Sequence, residues 1–337
     1  MRFNCILICC FCCFCSFRSS AQDVVFTQQY ANSLYLNPAF AGLNHSWSVT
    51  AAHRSQWPSL NGAFITNQLA GDFRLPDQKS AISVLLQQDK AGIGGLQKFQ
   101  AALAYGYHTR LTENWTMAAG LQASIALLRV NYDNLVFGDQ LSDNGMVAVT
   151  SAEASSFEPA HYLSFALGGL VYTNQFWFGL TAAHLNKPAY GFGQTIKLPV
   201  RLTANAGYKF YARTYENQGR LFEWSFSPSV MYTRQQNFSR TDLGLYTIYT
   251  PLTLGVVYKG VPLTGGPEQD QTLAIIAGLQ LEQFRVGFSH DVGLQGFSRQ
   301  VGGANEISLT FERLDLNFLF KSRLGRKFNR NIVCPAF

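Results

Sequence analysis

VRLTANAGYKF (Val200–Phe210) alternates without interruption. Val200, Leu202, Ala204, Ala206, Tyr208 and Phe210 share one face of an extended chain, while Arg201, Thr203, Asn205 and Lys209, with Gly207, share the other. Successive side chains of a strand point to opposite sides. The stretch is therefore a strand with one apolar and one polar face. That is the pattern of a barrel strand whose apolar side meets lipid and whose polar side lines a lumen.

The same period recurs along the chain, as in WFGLTAAHL (Trp177–Leu185) and FRVGFSHDV (Phe284–Val292), and Gly, Pro, Asn and Asp cut it into segments. Fourteen such segments are expected, at 47–54, 62–73, 80–88, 97–110, 114–129, 162–173, 176–186, 200–211, 222–235, 239–249, 252–260, 272–282, 284–292 and 305–318. Connection lengths test the count, because barrels of this kind have short periplasmic turns and longer outer loops. After even-numbered segments the connections are short: Thr112–Asn114, Thr173–Gln175, Thr250–Pro251 and the tight Leu281–Phe284. After odd-numbered segments they are mostly long, as at Val130–His161, Asn186–Pro199, Gly260–Gln271 and Gly293–Asn305, with Asn237–Arg240 a short exception. Parity played no part in choosing the segments, so its agreement supports fourteen strands with the N-terminus in the periplasm.

Composition agrees. Charged residues are 14% of the chain, against the usual ~25%, and aromatics are also 14%. Met1 to Ala21 read as an export signal, with Arg2, an apolar run from Ile6 to Phe17, and small residues before a cut between Ala21 and Gln22. That run is too short to span a bilayer, and no stretch after it reaches the ~18 apolar residues of a transmembrane helix. Six of the seven cysteines lie in the signal, so Cys334 stands alone afterwards and no internal disulfide can form. Loss of Arg2 and Arg18 lowers the formal charge from +6 to +4, too little to argue for nucleic acid. On composition alone, a soluble exported β-protein stays open beside an outer-membrane barrel.

Seven stretches in order decide between them by resemblance: FTQQYANSLYLNPAFAG (Phe26–Gly42), HRSQWPSLNGAFITNQLAGDFRL (His53–Leu75), QQDKAGIGG (Gln87–Gly95), FWFGLTAAHLNKP (Phe176–Pro188), LPVRLTANAGYKF (Leu198–Phe210), GFSHDVGLQGFSRQVGGANEISLTF (Gly287–Phe311) and the terminal CPAF (Cys334–Phe337). Together they resemble the PorP/SprF family of type IX secretion system outer-membrane proteins. The resemblance implies a fatty-acid-transporter-like, all-β transmembrane barrel of Bacteroidota that acts with the secretion and gliding machinery. It also implies partners: machinery subunits, secreted cargo such as surface adhesins with a C-terminal signal domain, and outer-membrane lipid. Asn-Pro-Ala near the N-terminus occurs in fatty-acid-transporter-like barrels in a segment folded inside the lumen. Asn37, Pro38, Ala39 and Gly42 are accordingly expected to form a plug that keeps the pore closed, or else a capping segment that only fills space. Pro38 fixes its own φ and turns Asn37 from helix, and Asn37 can close an Asx turn. Leu34, Tyr35, Leu36 and Phe40 would then bury against the inner wall. The expected organisation is signal 1–21, plug-like segment 22–46, barrel 47–320 and basic periplasmic tail 321–337.

Candidate site residues follow from position. Arg54, Gln56 and Trp57 lie where the first strand meets the first outer loop, as cargo contacts or, for the Trp, a membrane-interface anchor. The long loop 130–161, with Phe137, Asp139 and Gln140, is the first candidate for cargo contact. In the tail, Lys321, Arg323, Arg326, Lys327 and Arg330 would meet an acidic periplasmic partner, or simply be solvated. Cys334 would bridge another protein, or pack as a buried thiol beside Phe337. Ser289, His290 and Asp291 do not make a hydrolase: on a strand His290 faces away from the other two. GIGG (Gly92–Gly95) is an outer hairpin, since no Lys-Ser/Thr follows it. His184 reads as a satisfied lumen or rim histidine, without partners at metal-ligand spacing. No catalytic, cofactor or metal site is expected. The function expected is capture of type IX cargo at the cell surface; the alternative is a barrel passing a small hydrophobic solute.

Overall fold

The computed structural model describes residues 23–43, 46–77, 79–92, 94–131, 135–142, 145–146, 151, 159–192, 196–217, 220–261, 271–281, 283–295 and 297–313. Fourteen antiparallel strands form one ring in chain order. They are β1 (Trp47–Gln56), β2 (Phe64–Arg74), β3 (Ser80–Ala91), β4 (Leu96–Arg110), β5 (Thr116–Val130), β6 (Ala160–Tyr172), β7 (Phe176–Ala183), β8 (Arg201–Tyr208, continued by Phe210–Asn217), β9 (Arg220–Gln235), β10 (Phe238–Tyr249), β11 (Leu252–Lys259), β12 (Thr272–Leu281), β13 (Phe284–Gly293) and β14 (Ala304–Arg313). The last strand closes on the first, Trp47 opposite Arg313 and Gln56 opposite Ala304. Closure leaves no sheet edge along the wall, which is what a lipid-bathed sheet requires.

The polarity is inverted relative to a soluble protein. Leu69, Leu103, Leu121 and Ile307 are 47–60% exposed on the outer face, while Gln68, Ser124, Ser289 and Ser308 are at most 6% exposed inside. In the opening stretch, Thr203, Asn205 and Lys209 are buried and face inward, and Leu202 and Phe210 face out. Aromatic pairs ring the end of the barrel that carries the short turns: Trp47 with Phe311 (5.1 Å), Trp115 with Phe176 (6.0 Å), Tyr208 with Phe210 (4.5 Å) and Trp224 with Phe226 (5.7 Å). This is an interfacial girdle, and with the short turns it marks the periplasmic rim.

All fourteen expected segments are strands, twelve with both ends within three residues of those expected and two with larger differences. β8 does not stop at residue 211: after a register shift between Tyr211 and Arg213 it runs to Asn217, paired with Arg220–Phe226. β7 pairs with it only to Tyr208, and β10 pairs with β9 only from Trp224, so the end of the β8–β9 hairpin stands past both neighbours. Tyr215 stacks on Phe222 there at 5.2 Å, which covers apolar rings outside any core. The second difference is at β14, expected to reach 318: its described residues end at Arg313, and the remainder lies outside them.

The packed core lies inside the ring. Ala39, Phe40 and Leu43 pack on Ala118, Leu170 and Trp177; Leu34 and Ala41 pack on Ala70, Ala81, Leu85 and Ala102. The segment that fills the lumen is the N-terminal one.

Candidate functional site

Residues 23–43 thread the lumen from end to end. Gly42 lies at the periplasmic rim, where its amide donates to Asp72 on β2 and Arg74 donates to its carbonyl. His108 on β4 hydrogen-bonds the Ala41 carbonyl at 2.7 Å. Above this come the turn Pro38–Phe40 and one helical turn, α1 (Ser33–Leu36). Asn37 separates them with an extended backbone, and its Oδ1 accepts from the Ala39 amide at 2.9 Å, closing an Asx turn. Its Nδ2 donates to the carbonyls of Gly169 on β6 (3.0 Å) and Leu180 on β7 (3.3 Å), so one buried amide ties the turn to two wall strands. Leu34 and Phe40 are buried; Tyr35 and Leu36 are half-buried.

The wall is shaped to receive this turn. Gly106 on β4, Gly120 on β5 and Gly168 on β6 are cross-strand partners in one row. A Cβ at Gly120 would overlap Pro38 and the Ala39 nitrogen, one at Gly168 would overlap the Asn37 side chain, and one at Gly106 would press on Ala41 at 3.2 Å. The row lets backbone meet backbone, which no side chain permits.

Two polar clusters hold the outer half. In the first, Glu306 on β14 accepts the backbone amides of Thr27 (2.8 Å) and Gln28 (3.1 Å), the Asn32 side chain (3.0 Å) and Arg54 on β1 (3.1 Å). Arg54 also pairs with Asp291 on β13 at 3.0 Å, and Lys259 on β11 reaches the same carboxylate at 2.7 Å. The Thr27 hydroxyl sits among them, accepting from Arg54 and Lys259. Burying charges is costly unless each is paired and hydrogen-bonded, and the segment supplies part of that satisfaction.

In the second, Asp23 lies beneath the outer mouth. Its Oδ2 is 2.8 Å from His184 Nε2 and 3.3 Å from Arg201 on β8, and its Oδ1 is 3.5 Å from Lys98 on β4. Burial opposes charge on Asp23, but Arg201, Lys98 and the His184 hydrogen bond outweigh it and hold the carboxyl well below its usual range. Burial pushes the Tyr35 phenol up to about 12, so Tyr35 stays a donor, here to the Val24 carbonyl at 3.0 Å. A cavity of about 20 Å³ remains between Asp23, Tyr35, Pro38 and the walls of β4 to β8, room for about one water.

The expected site residues fall in different places. Arg54 is turned into the lumen and spent on Asp291 and Glu306. Gln56 ends β1, flanked by Phe64 and Ala304. Trp57 has a positive φ of 55°, meets Phe64 edge-on at 5.1 Å, and donates through Nε1 to Ser298 at 3.2 Å, joining the first and last outer loops. Phe137, Asp139 and Gln140 form one short turn in the β5–β6 loop: the Phe137 amide donates to the Gln140 side chain at 2.8 Å, and Asp139, exposed, accepts from Ser151 at 2.7 Å. His184 hydrogen-bonds Ser164 at 2.8 Å as well as Asp23. Ser289 and Asp291 face the lumen, and His290 faces out to Asn305. The cut between Ala21 and Gln22, and Lys321, Arg323, Arg326, Lys327, Arg330, Cys334 and Phe337 of the tail, lie outside the described residues.

Sequence reasoning missed Asp23, Thr27, Lys259 and Glu306. The available signal was charge on inward positions of strands in a charge-poor chain: Lys259, Asp291 and Glu306 are each buried on the lumen face of their strand.

A closed barrel with a lipid-facing apolar exterior, an aromatic girdle and an N-terminal segment folded into its lumen is an outer-membrane protein. The chain belongs to the type IX secretion system membrane protein PorP/SprF family, whose model matches residues 18–311. Similar solved structures include the toluene transporter TbuX of Ralstonia pickettii (12% identity over 83% of this chain and 93% of that one, TM-score 0.44) and the CymD monoaromatic hydrocarbon channel (13%, 84% and 92%, 0.49). The KdgM porin is similar too (8%, 79% and 98%, 0.36). At these identities the likeness is one of barrel architecture alone. No curated protein matches the chain significantly.

Proposed function

We propose that this barrel captures secreted type IX cargo with its outer loops and holds or passes it at the cell surface, while its periplasmic side engages the secretion machine. The observation that carries this reading is the state of the lumen: the N-terminal segment fills it and is fastened by two buried charge clusters, so the surface left for a large partner is the outer rim. That rim is tied together by Trp57 and Ser298, and the β5–β6 loop carries the Phe137–Gln140 turn. Binding is non-covalent, with aromatic anchors and charges around them. On the periplasmic side, the basic stretch Lys321–Arg330 is the proposed partner contact, with the projecting β8–β9 hairpin beside the same rim. A small apolar solute fits less well, because the lumen face is polar and charged.

The test is deletion of residues 139–156 in cells, followed by fractionation and quantitation of cargo on the surface. Cargo should drop from the surface into the medium or periplasm while the barrel still inserts. Unchanged cargo retention with normal barrel levels would sink the reading.

A further inference from the structure

The tip of the lumen segment is gripped more elaborately than packing requires. Pro38 on its glycine row and Thr27 on Glu306 already fix the segment at two heights. Past them, Asp23–Phe26 belong to no helix or strand, and the surroundings read each feature of a peptide. Lys98, Arg201 and His184 converge on the carboxylate, and the Asp23 amide points to the Gln235 side chain at 3.5 Å. The Tyr35 hydroxyl holds the Val24 carbonyl at 3.0 Å, and the buried Phe26 ring meets Tyr35 edge-on at 5.3 Å.

A second observation points the same way. Thr181 is 8% exposed and lines the small cavity beside Asp23, and its hydroxyl has no hydrogen-bond partner among the described residues. The recess that Arg201 and His184 share with Thr181 is lined by the polar side chains of Gln100, Gln122, Ser124 and Ser164, as a seat for a carboxylate must be. We propose that the outer vestibule is a binding site for a short acidic peptide segment, occupied in cis by Asp23–Phe26 and taken in trans by an acidic segment of a partner arriving from outside. The direction of arrival rests on the proposed function; the site itself does not. The ligand must bring a carboxylate to Arg201 and His184, a main-chain carbonyl to Tyr35 and an apolar ring three residues on. Occupation in cis lowers the apparent affinity for any such peptide by the fraction of time the seat is free.

The purified full-length barrel in detergent is titrated with fluorescein-labelled acetyl-Asp-Val-Val-Phe-amide and followed by anisotropy. Asp23→Ala should bind it at least about tenfold more tightly than the parent, as expected if the parent seat is filled nine-tenths of the time. Arg201→Gln added to Asp23→Ala should abolish binding, and Lys98→Gln serves if that variant does not show the gel mobility of a folded barrel. The Asn-Val-Val-Phe peptide should bind at least about tenfold more weakly. Equal affinity for parent and Asp23→Ala, or indifference to Asp against Asn in the peptide, overturns the proposal. Binding of decanoate in place of the peptide overturns the peptide assignment. Since the assay uses purified protein, its failure leaves the cargo-retention test in cells standing on its own.

Discussion

The main chain of Pro38 rests directly on Gly120: a Cβ built on Gly120 would overlap the Pro38 carbonyl carbon and the Ala39 nitrogen. With Gly106 and Gly168 beside it in register, Gly120 makes a groove one residue wide across three strands. Gly120→Val should therefore unseat the turn, at a cost of about 1–3 kcal/mol for overpacking. Added protease should then remove the N-terminal residues from a barrel that otherwise stays intact. A segment as resistant as the parent's would show that the contact is not needed.

Ala41 and Gly106 offer a direct check of the segment's place. A Cβ at Gly106 lies 3.2 Å from the Ala41 Cβ, close to the separation a disulfide spans. The pair Ala41→Cys and Gly106→Cys, with Cys334→Ser, should cross-link under mild oxidation. Peptide mapping by mass spectrometry without reductant should recover the bridged peptides.

Glu306 ties the segment to the wall. It is 1% exposed and receives Thr27, Gln28, Asn32 and Arg54. Glu306→Ala leaves a buried guanidinium short of a partner and two main-chain donors unmet. The expected loss is about 3–5 kcal/mol, as for one partner removed from a buried pair, read as a lower urea midpoint for the barrel in lipid vesicles. His290→Ala, next to Asp291 in the chain but on the outward face of the strand, should stay within about 0.5 kcal/mol of the parent.

Asp23 sets a pH dependence of definite sign. Its seated carboxyl has a pKa below the ordinary value of 3.8, so the released segment binds a proton more readily than the seated one. The contribution to seating is complete above that ordinary value and is lost as the pH falls through the lowered one. Comparing Asp23→Asn with the parent by hydrogen exchange, the parent's extra protection of the segment should be no smaller at about pH 5 than at pH 7. Loss of that difference at pH 5 would mean the carboxylate is not held by Arg201 and Lys98.

Much of this molecule was legible residue by residue. Period-2 alternation needs only the geometry of a strand, and a lipid exterior makes the outward face of every strand apolar without regard to its neighbours. Turn and loop lengths carry the parity of crossing, and the turn at Asn37 and Pro38 follows from their own backbone preferences. So strand number, handling of the membrane and the local shape of the lumen turn are all written in short windows.

The site was not legible, because it is made of residues that no window joins. Glu306 meets Thr27 across 279 positions, and Asp23 meets His184 across 161. Gly106, Gly120 and Gly168 look like ordinary strand glycines until strand pairing sets them side by side. Their meeting depends on the register of each strand with the next, summed around a ring that must close on itself. A shift of one residue between any two strands would turn those side chains from lumen to lipid. The sequence by itself determined that a barrel of fourteen strands forms and which face of each strand is polar; only closure of the ring decided which polar groups meet, and so where Asp23 is held.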